Sequence, residues 1–271
     1  MTPNVDTAFT GSVAQFYERY MVPLIFEPYA VDLAQRVART APRRVLELAA
    51  GTGVVTRQLA LMLDASVELV ATDLNPAMID EAARIGTARP VTWQQADAMQ
   101  LPFDTASFDA LACQFGVMFF PDKPKAFAEA RRVLRPGGLF AFNAWCLIGA
   151  NEFADAVTQA LAAVFPQDPP RFMARTPHGY HDAARIAQDL ASAGFTSAPA
   201  IESVAFTSRA ASAADAALGY CQGTPLRGEI EARDPQGLRR ATLAAEAELA
   251  RRFGAGPIAG RIEALVVTVA A

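Results

Sequence analysis

The stretch Val45-Leu46-Glu47-Leu48-Ala49-Ala50-Gly51-Thr52-Gly53-Val54-Val55-Thr56 decides how the rest of the chain is read. An apolar run rich in branched residues passes into small residues and two glycines, and apolar positions at helical spacing follow at Val54, Leu59 and Leu63. This pattern predicts a strand, a tight turn and a helix. Gly51 and Gly53 lack a Cβ, so the main chain can take unusual angles and a ligand can lie directly against it. The helix that follows offers unpaired N–H groups and the positive end of its dipole. The turn is therefore suited to a nucleotide-like ligand. Thr56 stands where dinucleotide enzymes place the third glycine of G-x-G-x-x-G.

Moving outward, Val67-Glu68-Leu69-Val70-Ala71-Thr72-Asp73 reads as a second strand ending in a carboxylate about twenty residues past the turn, placed to accept hydrogen bonds from ribose hydroxyls. Asn75 and Pro76 open a helix that runs to Ile85, as N-cap and first helical residue. Residues 91–95 form a third strand. Asp97 follows it, able to accept a hydrogen bond from an exocyclic amine such as that of adenine, with Ala98 and Met99 as small and adaptable apolar walls. Residues 108–113 form a fourth strand ending at Gln114. A helix over 123–134, the turn Arg135-Pro136-Gly137-Gly138 and a fifth strand over 139–143 come next. Strands alternating with helices predict a mostly parallel sheet covered on both faces.

On the other side of the glycine turn, residues 12–39 carry apolar and aromatic side chains at helical spacing, interrupted at Pro23 and Pro28, and predict two helices. Phe16, Tyr17 and Tyr20 either pack on the domain or supply a ring that folds over a cationic ligand. Beyond Trp145 the alternation is lost. Helices are expected over 152–164, 182–193, 211–220 and 238–253, and strands over 201–207 and 262–269, the last two completing the sheet.

The formal net charge of −4 over 271 residues, with lysine only at 123 and 125, argues against a general nucleic-acid binder. Cys113, Cys146 and Cys221 are odd in number and far apart, with no histidine at ligand spacing, so neither a disulfide framework nor a metal site is expected. Met1–Thr10 lacks the basic and apolar segments of a secretory signal. The longest apolar stretch, residues 139–150, is too short to span a bilayer and is interrupted by Asn143. A cytoplasmic location is the expectation.

With these residues in hand, the chain resembles the class I S-adenosylmethionine-dependent methyltransferases, in particular the small-molecule group of ubiquinone and menaquinone biosynthesis. The resemblance rests on residues 45–53, 71–78, Ala96-Asp97-Ala98 ahead of Leu101-Pro102-Phe103, Phe108-Asp109, and Val133-Leu134-Arg135-Pro136-Gly137-Gly138. It covers about residues 44–143 and extends more weakly over 17–29. It implies a single α/β domain with a Rossmann-like, seven-stranded, mostly parallel sheet whose last strand is antiparallel. Within it, residues 12–40 would form N-terminal helices, 44–145 the cofactor-binding core, and 146–195 with 208–255 a helical cover that selects the acceptor.

The resemblance further implies that Ala49, Gly51 and Gly53 underlie the methionine part of the cofactor and that Glu47 organises its amino end. Asp73 would hold the ribose, Leu74 and Met78 would flank the adenine, Asp97 and Ala98 would meet its edge, and Gln114 would lie near the methyl donor. Ala49 stands where many members have glycine, a departure expected to be tolerated because Gly51 and Gly53 occupy the closest positions. Tyr20 is the aromatic assigned to the cofactor, and His178 and His181, the only histidines, are the candidate bases if the acceptor must lose a proton. The implied activity is in-line methyl transfer from S-adenosylmethionine to a small, largely apolar acceptor, releasing S-adenosylhomocysteine, without a metal. A non-catalytic S-adenosylmethionine-binding protein and an NAD-dependent oxidoreductase stand as alternatives, and oligomeric state is left open.

Overall fold

Strand β1 (Arg44–Glu47) has Val45 and Leu46 fully buried although they point to opposite faces, as expected of an interior strand in a parallel sheet. On one side it pairs in parallel with β2 (Glu68–Asp73), with Glu47 opposite Ala71. On the other it pairs in parallel with β4 (Phe108–Gln114), with Glu47 opposite Ala112. Beyond β2 lies β3 (Thr92–Gln95), and beyond β4 lies β5 (Leu134–Trp145). With β6 (Ala200–Ala210) and β7 (Ile258–Ala270) the computed structural model, which describes residues 13–271, contains a seven-stranded sheet in the order β3-β2-β1-β4-β5-β7-β6. Gly137 N donates to Ala271 O and Cys146 N to Glu263 O, so residue numbers run in opposite directions on β5 and β7. The seven-stranded, mostly parallel sheet with an antiparallel last strand is the one that the resemblance implies.

Local signals account for the helices. Helices α1 (Val13–Phe16) and α2 (Glu27–Ala38) are joined by a π-helical stretch, Tyr17–Phe26, that contains Pro23. The expected break at the prolines is thus absent: Pro23 is taken up in the wider π-helical turn, and Pro28 follows just inside α2, where Leu24 O, four residues back, accepts from Ser208 Oγ in place of the N–H that Pro28 lacks. Ser12, the expected start of these helices, and the Met1–Thr10 stretch assessed for a secretory signal lie outside the described residues. Helix α3 (Val54–Met62) follows the glycine turn, and α4 (Pro76–Ile85) opens as anticipated, with Asn75 Oδ1 accepting from Ala77 N at 3.0 Å. Helix α5 (Lys123–Val133) is capped by Asp122.

The segment Arg135–Gly138 is not a free turn but the bulged start of β5. Phe108 pairs with Leu134, yet Ala110 pairs with Leu139, and the extra β5 residues bond to the end of the chain at Ala271. That pairing joins residues more than 130 positions apart and leaves no local trace. The remaining helices are α6 (Glu152–Val164), α7 (Phe172–Arg175), α8 (Ala183–Ser192), α9 (Ala213–Gln222), α10 (Leu226–Arg233) and α11 (Leu238–Phe253). The short α7 and α10 have no clear sequence signature.

The chain divides into two compact units. One comprises Glu27–Ala144, Tyr180–Val204 and Ala264–Ala271, and holds strands β1–β5 almost entire. Its core includes the fully buried rings of Phe108, Phe127, Phe140 and Phe142, each contributing about 1.5–3 kcal/mol by burial. The other comprises residues up to Phe26, Trp145–Gly179 and Ala205–Glu263, and is mainly helical. There Phe153 meets Phe253 edge-on at 4.9 Å and Ser208 Oγ donates to Leu24 O at 2.7 Å. Among the described residues no helix is long and apolar enough to cross a membrane.

Candidate active site

The main chain after β1 alternates through the left-handed region at Ala49 (φ 51°), Gly51 (φ 56°) and Gly53 (φ 82°). Gly53 is required twice over, since a Cβ there would also lie 2.8 Å from the Trp93 ring. Ala49 holds a conformation that costs an L-residue about 1–2 kcal/mol. Its methyl is accommodated by Gly116: a Cβ on Gly116 would lie 2.5 Å from that of Ala49 and 2.8 Å from Cys113 Sγ. The departure from glycine at 49 is thus matched by a glycine in the loop after β4. Phe115 in that same loop also has a positive φ, 50°, so two strained residues flank the ends of neighbouring strands β1 and β4. Such strain collects at ligand sites.

Two carboxylates lie at the ends of β1 and β2. Glu47 is 1% exposed, and its Oε2 accepts a hydrogen bond from Thr56 Oγ1 at 2.5 Å. Burial pushes its pKa up to about 8, against the opposing pull of the Thr56 bond and the Arg57 charge. Among the described residues it forms no ion pair. Asp73 is also raised by burial, opposed by bonds from backbone N–H groups. Its Oδ2 accepts from Gly51 N and its Oδ1 from Asn75 N, both at 2.8 Å. Each oxygen retains a second lone pair, so the carboxylate shapes the turn and can still accept from a diol.

The other sequence-derived residues of this unit gather at the same edge. Ala96 N donates to Asp73 O at 3.0 Å, which brings the Asp97 loop beside β2, and Asp97 Oδ1 accepts from Met99 N at 2.8 Å. Ala98 is half-buried. Leu74 is 55% exposed, an apolar side chain presented to solvent at the strand end, whereas Met78 is buried. Gln114 is buried at the end of β4, with Asn143 of β5 as its neighbour in register. By register and the two-residue repeat of strands, Glu47, Asp73, Gln114 and Asn143 share one face of the sheet.

Tyr20 and His178 belong to the helical unit, and His181 to the sheet unit. Tyr20 is half-buried, stacked on Phe16 with Arg19 5.2 Å from its ring centre. His178 is buried, its Nδ1 2.8 Å from Cys146 O, and its ring lies against Trp145 at 6.0 Å. A carbonyl only accepts, so Nδ1 carries a proton, and in the neutral ring the lone pair is on Nε2. His181 is half-buried ahead of Asp182, which caps α8.

Three residues at this edge escape a reading of the sequence for ligand contacts. Thr56 is the hydroxyl partner of Glu47, nine positions away. Among the described residues, Thr52 Oγ1 and both amide atoms of Asn143 are buried without a hydrogen-bond partner. Each unmet group costs about 1–3 kcal/mol. The signal for Asn143 was its polarity inside the apolar run 139–150.

Residues 46–142 match the family described as methyltransferase domain. The chain is 45% identical over 114 residues to the demethylmenaquinone methyltransferase of Thermus thermophilus, covering 40% of this chain and 49% of that one. It is 40% identical over 99 residues to the ubiquinone/menaquinone biosynthesis C-methyltransferase UbiE of Idiomarina loihiensis, covering 35% and 39% respectively. The chain thus spans less than half the length of these curated relatives. Among solved structures it is similar to the YcgJ protein of Bacillus subtilis, with a TM-score of 0.57, 18% identity, and coverage of 90% of this chain and 98% of that one. The stretch from β1 to β5, which carries the glycine turn and both carboxylates, is the part of the chain that matches the methyltransferase domain.

Proposed function

We propose that the protein transfers the methyl group of S-adenosylmethionine to a small, largely apolar organic acceptor and releases S-adenosylhomocysteine. The observation that carries this reading is the placing of two buried carboxylates at the glycine turn, Asp73 bonded to Gly51 N and Glu47 to Thr56 Oγ1, inside a stretch that matches methyltransferase domains. The residues suit that cofactor. Asp73 has lone pairs left for two ribose hydroxyls after bonding Gly51 N and Asn75 N. Glu47, a buried carboxylate without an ion pair among the described residues, suits an ammonium group and would lose its proton on meeting one. The turn at Ala49, Gly51 and Gly53 offers bare main chain, Leu74 and Met78 offer apolar cover for adenine, and Asp97 with Ala98 offers an edge for its amine. Gln114 is assigned to the methyl-donor end.

When bound, the sulfonium supplies an already electrophilic methyl group, so the chain's task is to align the acceptor and exclude water. Alignment alone is worth up to about 7–11 kcal/mol in ideal cases. Residues 146–195 and 208–255 are proposed as the acceptor-selecting segments. Tyr20, His178 and His181 are proposed from their chemistry: an aromatic face for a cation, and imidazoles for an acidic acceptor. The names of the curated relatives favour a quinone-type acceptor and methylation at carbon. None of Cys113, Cys146 and Cys221 is in a disulfide, which is consistent with a cytoplasmic setting.

Calorimetry with S-adenosylhomocysteine and with NAD(H) tests the reading. Saturable binding of the first and none of the second is expected; the reverse would sink it. Binding without methyl transfer to any acceptor would favour the non-catalytic alternative. Once an acceptor is identified, His178→Ala or His181→Ala should slow transfer at least tenfold at unchanged cofactor affinity, and two fully active variants would leave alignment as the whole mechanism.

A further inference from the structure

Asn143 lies two residues before the end of β5, fully buried, within Leu139-Phe140-Ala141-Phe142-Asn143-Ala144-Trp145. Among the described residues, neither its Nδ2 nor its Oδ1 has a hydrogen-bond partner. Buried side-chain amides with both groups unmet are rare in folded proteins, and a leucine here would fill similar space without that penalty. The side chain is held on the face it shares with Gln114, Glu47 and Asp73, at the carboxyl ends of the strands where open α/β sheets take their ligands.

An amide with both groups open asks for a partner that accepts from Nδ2–H and donates to Oδ1. A hydroxyl does both; an ether, a carbonyl or a hydrocarbon does not. We propose that Asn143 binds a hydroxyl group of the methyl acceptor, directly or through one ordered water, and so discriminates between acceptors. This rests on the methyl-transfer reading above and adds a residue to it. The amide is covered in the chain as it stands, so neighbouring side chains must give way when the hydroxyl arrives.

The test uses the full chain saturated with S-adenosylhomocysteine and two probes, 1,4-dihydroxynaphthalene kept reduced and 1,4-dimethoxynaphthalene, which lacks the donor. Calorimetry should show the diol binding at least tenfold more tightly to the unaltered protein. In Asn143→Leu and Asn143→Ala that preference should shrink to twofold or less, while affinity for S-adenosylhomocysteine stays within threefold. Asn143→Leu should melt no lower than the unaltered protein, which a residue kept only for stability would not allow. Asn143→Ala carries the test if the leucine variant does not fold. A preference for the diol that survives either folded variant, or no preference in the unaltered protein, would overturn the proposal. Failure to bind S-adenosylhomocysteine would instead overturn the reading beneath it. A crystal of the diol complex, with the amide bonded to the probe or to a water between them, separates direct from bridged contact.

Discussion

The two edges of the parallel sheet each carry carboxylates, and they are treated oppositely. At the amino-terminal edge Asp109 of β4 accepts from Arg43 N and Arg44 N at 2.8 Å and is ion-paired with Arg135. Despite partial burial, its pKa is held below the ordinary value by these donors. It ties the starts of three neighbouring strands together and its hydrogen bonds are spent within the chain. At the carboxyl-terminal edge Glu47 has a hydroxyl but, among the described residues, no paired cation, and its pKa rises to about 8. Asp73 stands between them, bonded to backbone N–H groups yet still raised. Both edges belong to the same set of recognisable motifs. What separates a fastening from a site is whether the charge is already answered.

This contrast can be broken by pH. Glu47 binds its proton more tightly folded than unfolded, so its contribution to stability declines as pH rises from about 4.5 towards 8 and is flat beyond. Asp109 works the other way: its contribution is full above its unfolded value and is lost as pH falls through its depressed folded value. Glu47→Gln should therefore gain about 4 kcal/mol relative to the unaltered protein between pH 5 and pH 9. Urea unfolding at the two pH values reads this, and parallel curves would show that Glu47 is not held protonated.

Asp73→Ala should weaken S-adenosylhomocysteine binding about 100-fold, because it removes both the proposed ribose contact and the acceptors of Gly51 N and Asn75 N. Asp97→Ala should cost about tenfold, since adenine keeps its apolar contacts. The opposite order by calorimetry would mean the two loops have been assigned the wrong roles. Asp109→Ala, at the other edge, should lower stability by about 2 kcal/mol and leave the affinity of the folded protein unchanged. A comparable loss of affinity there would erase the distinction between the edges.

The smallest effect concerns Ala49 and Gly116. Gly116→Ala should cost about 1–2 kcal/mol by crowding Ala49, and the cost should fall in an Ala49→Gly background, where the opposing methyl is gone. Ala49→Gly alone should stabilise by roughly 1 kcal/mol through relief of the positive φ. Additive effects in a double-mutant cycle would show that the two positions do not sense each other.

How much was legible differs by the range of the interaction. The strand, glycine turn and helix at 45–63, the Asn75-Pro76 helix start and the alternation of strands and helices up to β5 were readable because each depends on neighbours within a turn or on the period of apolar residues. The carboxylate at Asp73 was readable from its distance to the turn. The same local reading expected breaks at Pro23 and Pro28 and a free turn at Arg135–Gly138. A π-helical stretch absorbed the first proline, the first turn of α2 took the second, and pairing with the chain terminus at Ala271 made the turn part of a strand.

By itself the sequence determined the sheet, the ligand-facing turn and the acidic residues beside it, because backbone geometry, capping and hydrophobic period are properties of short segments. Only the tertiary structure decided which charges remain unanswered. Asp109 meets Arg43 and Arg44 across 65 or more positions, Ala49 meets Gly116 across 67, and Asn143 has no partner among the described residues on a face defined by four strands. Burial and hydrogen-bond satisfaction are settled by what the fold brings alongside a residue, and no spacing along the chain encodes them.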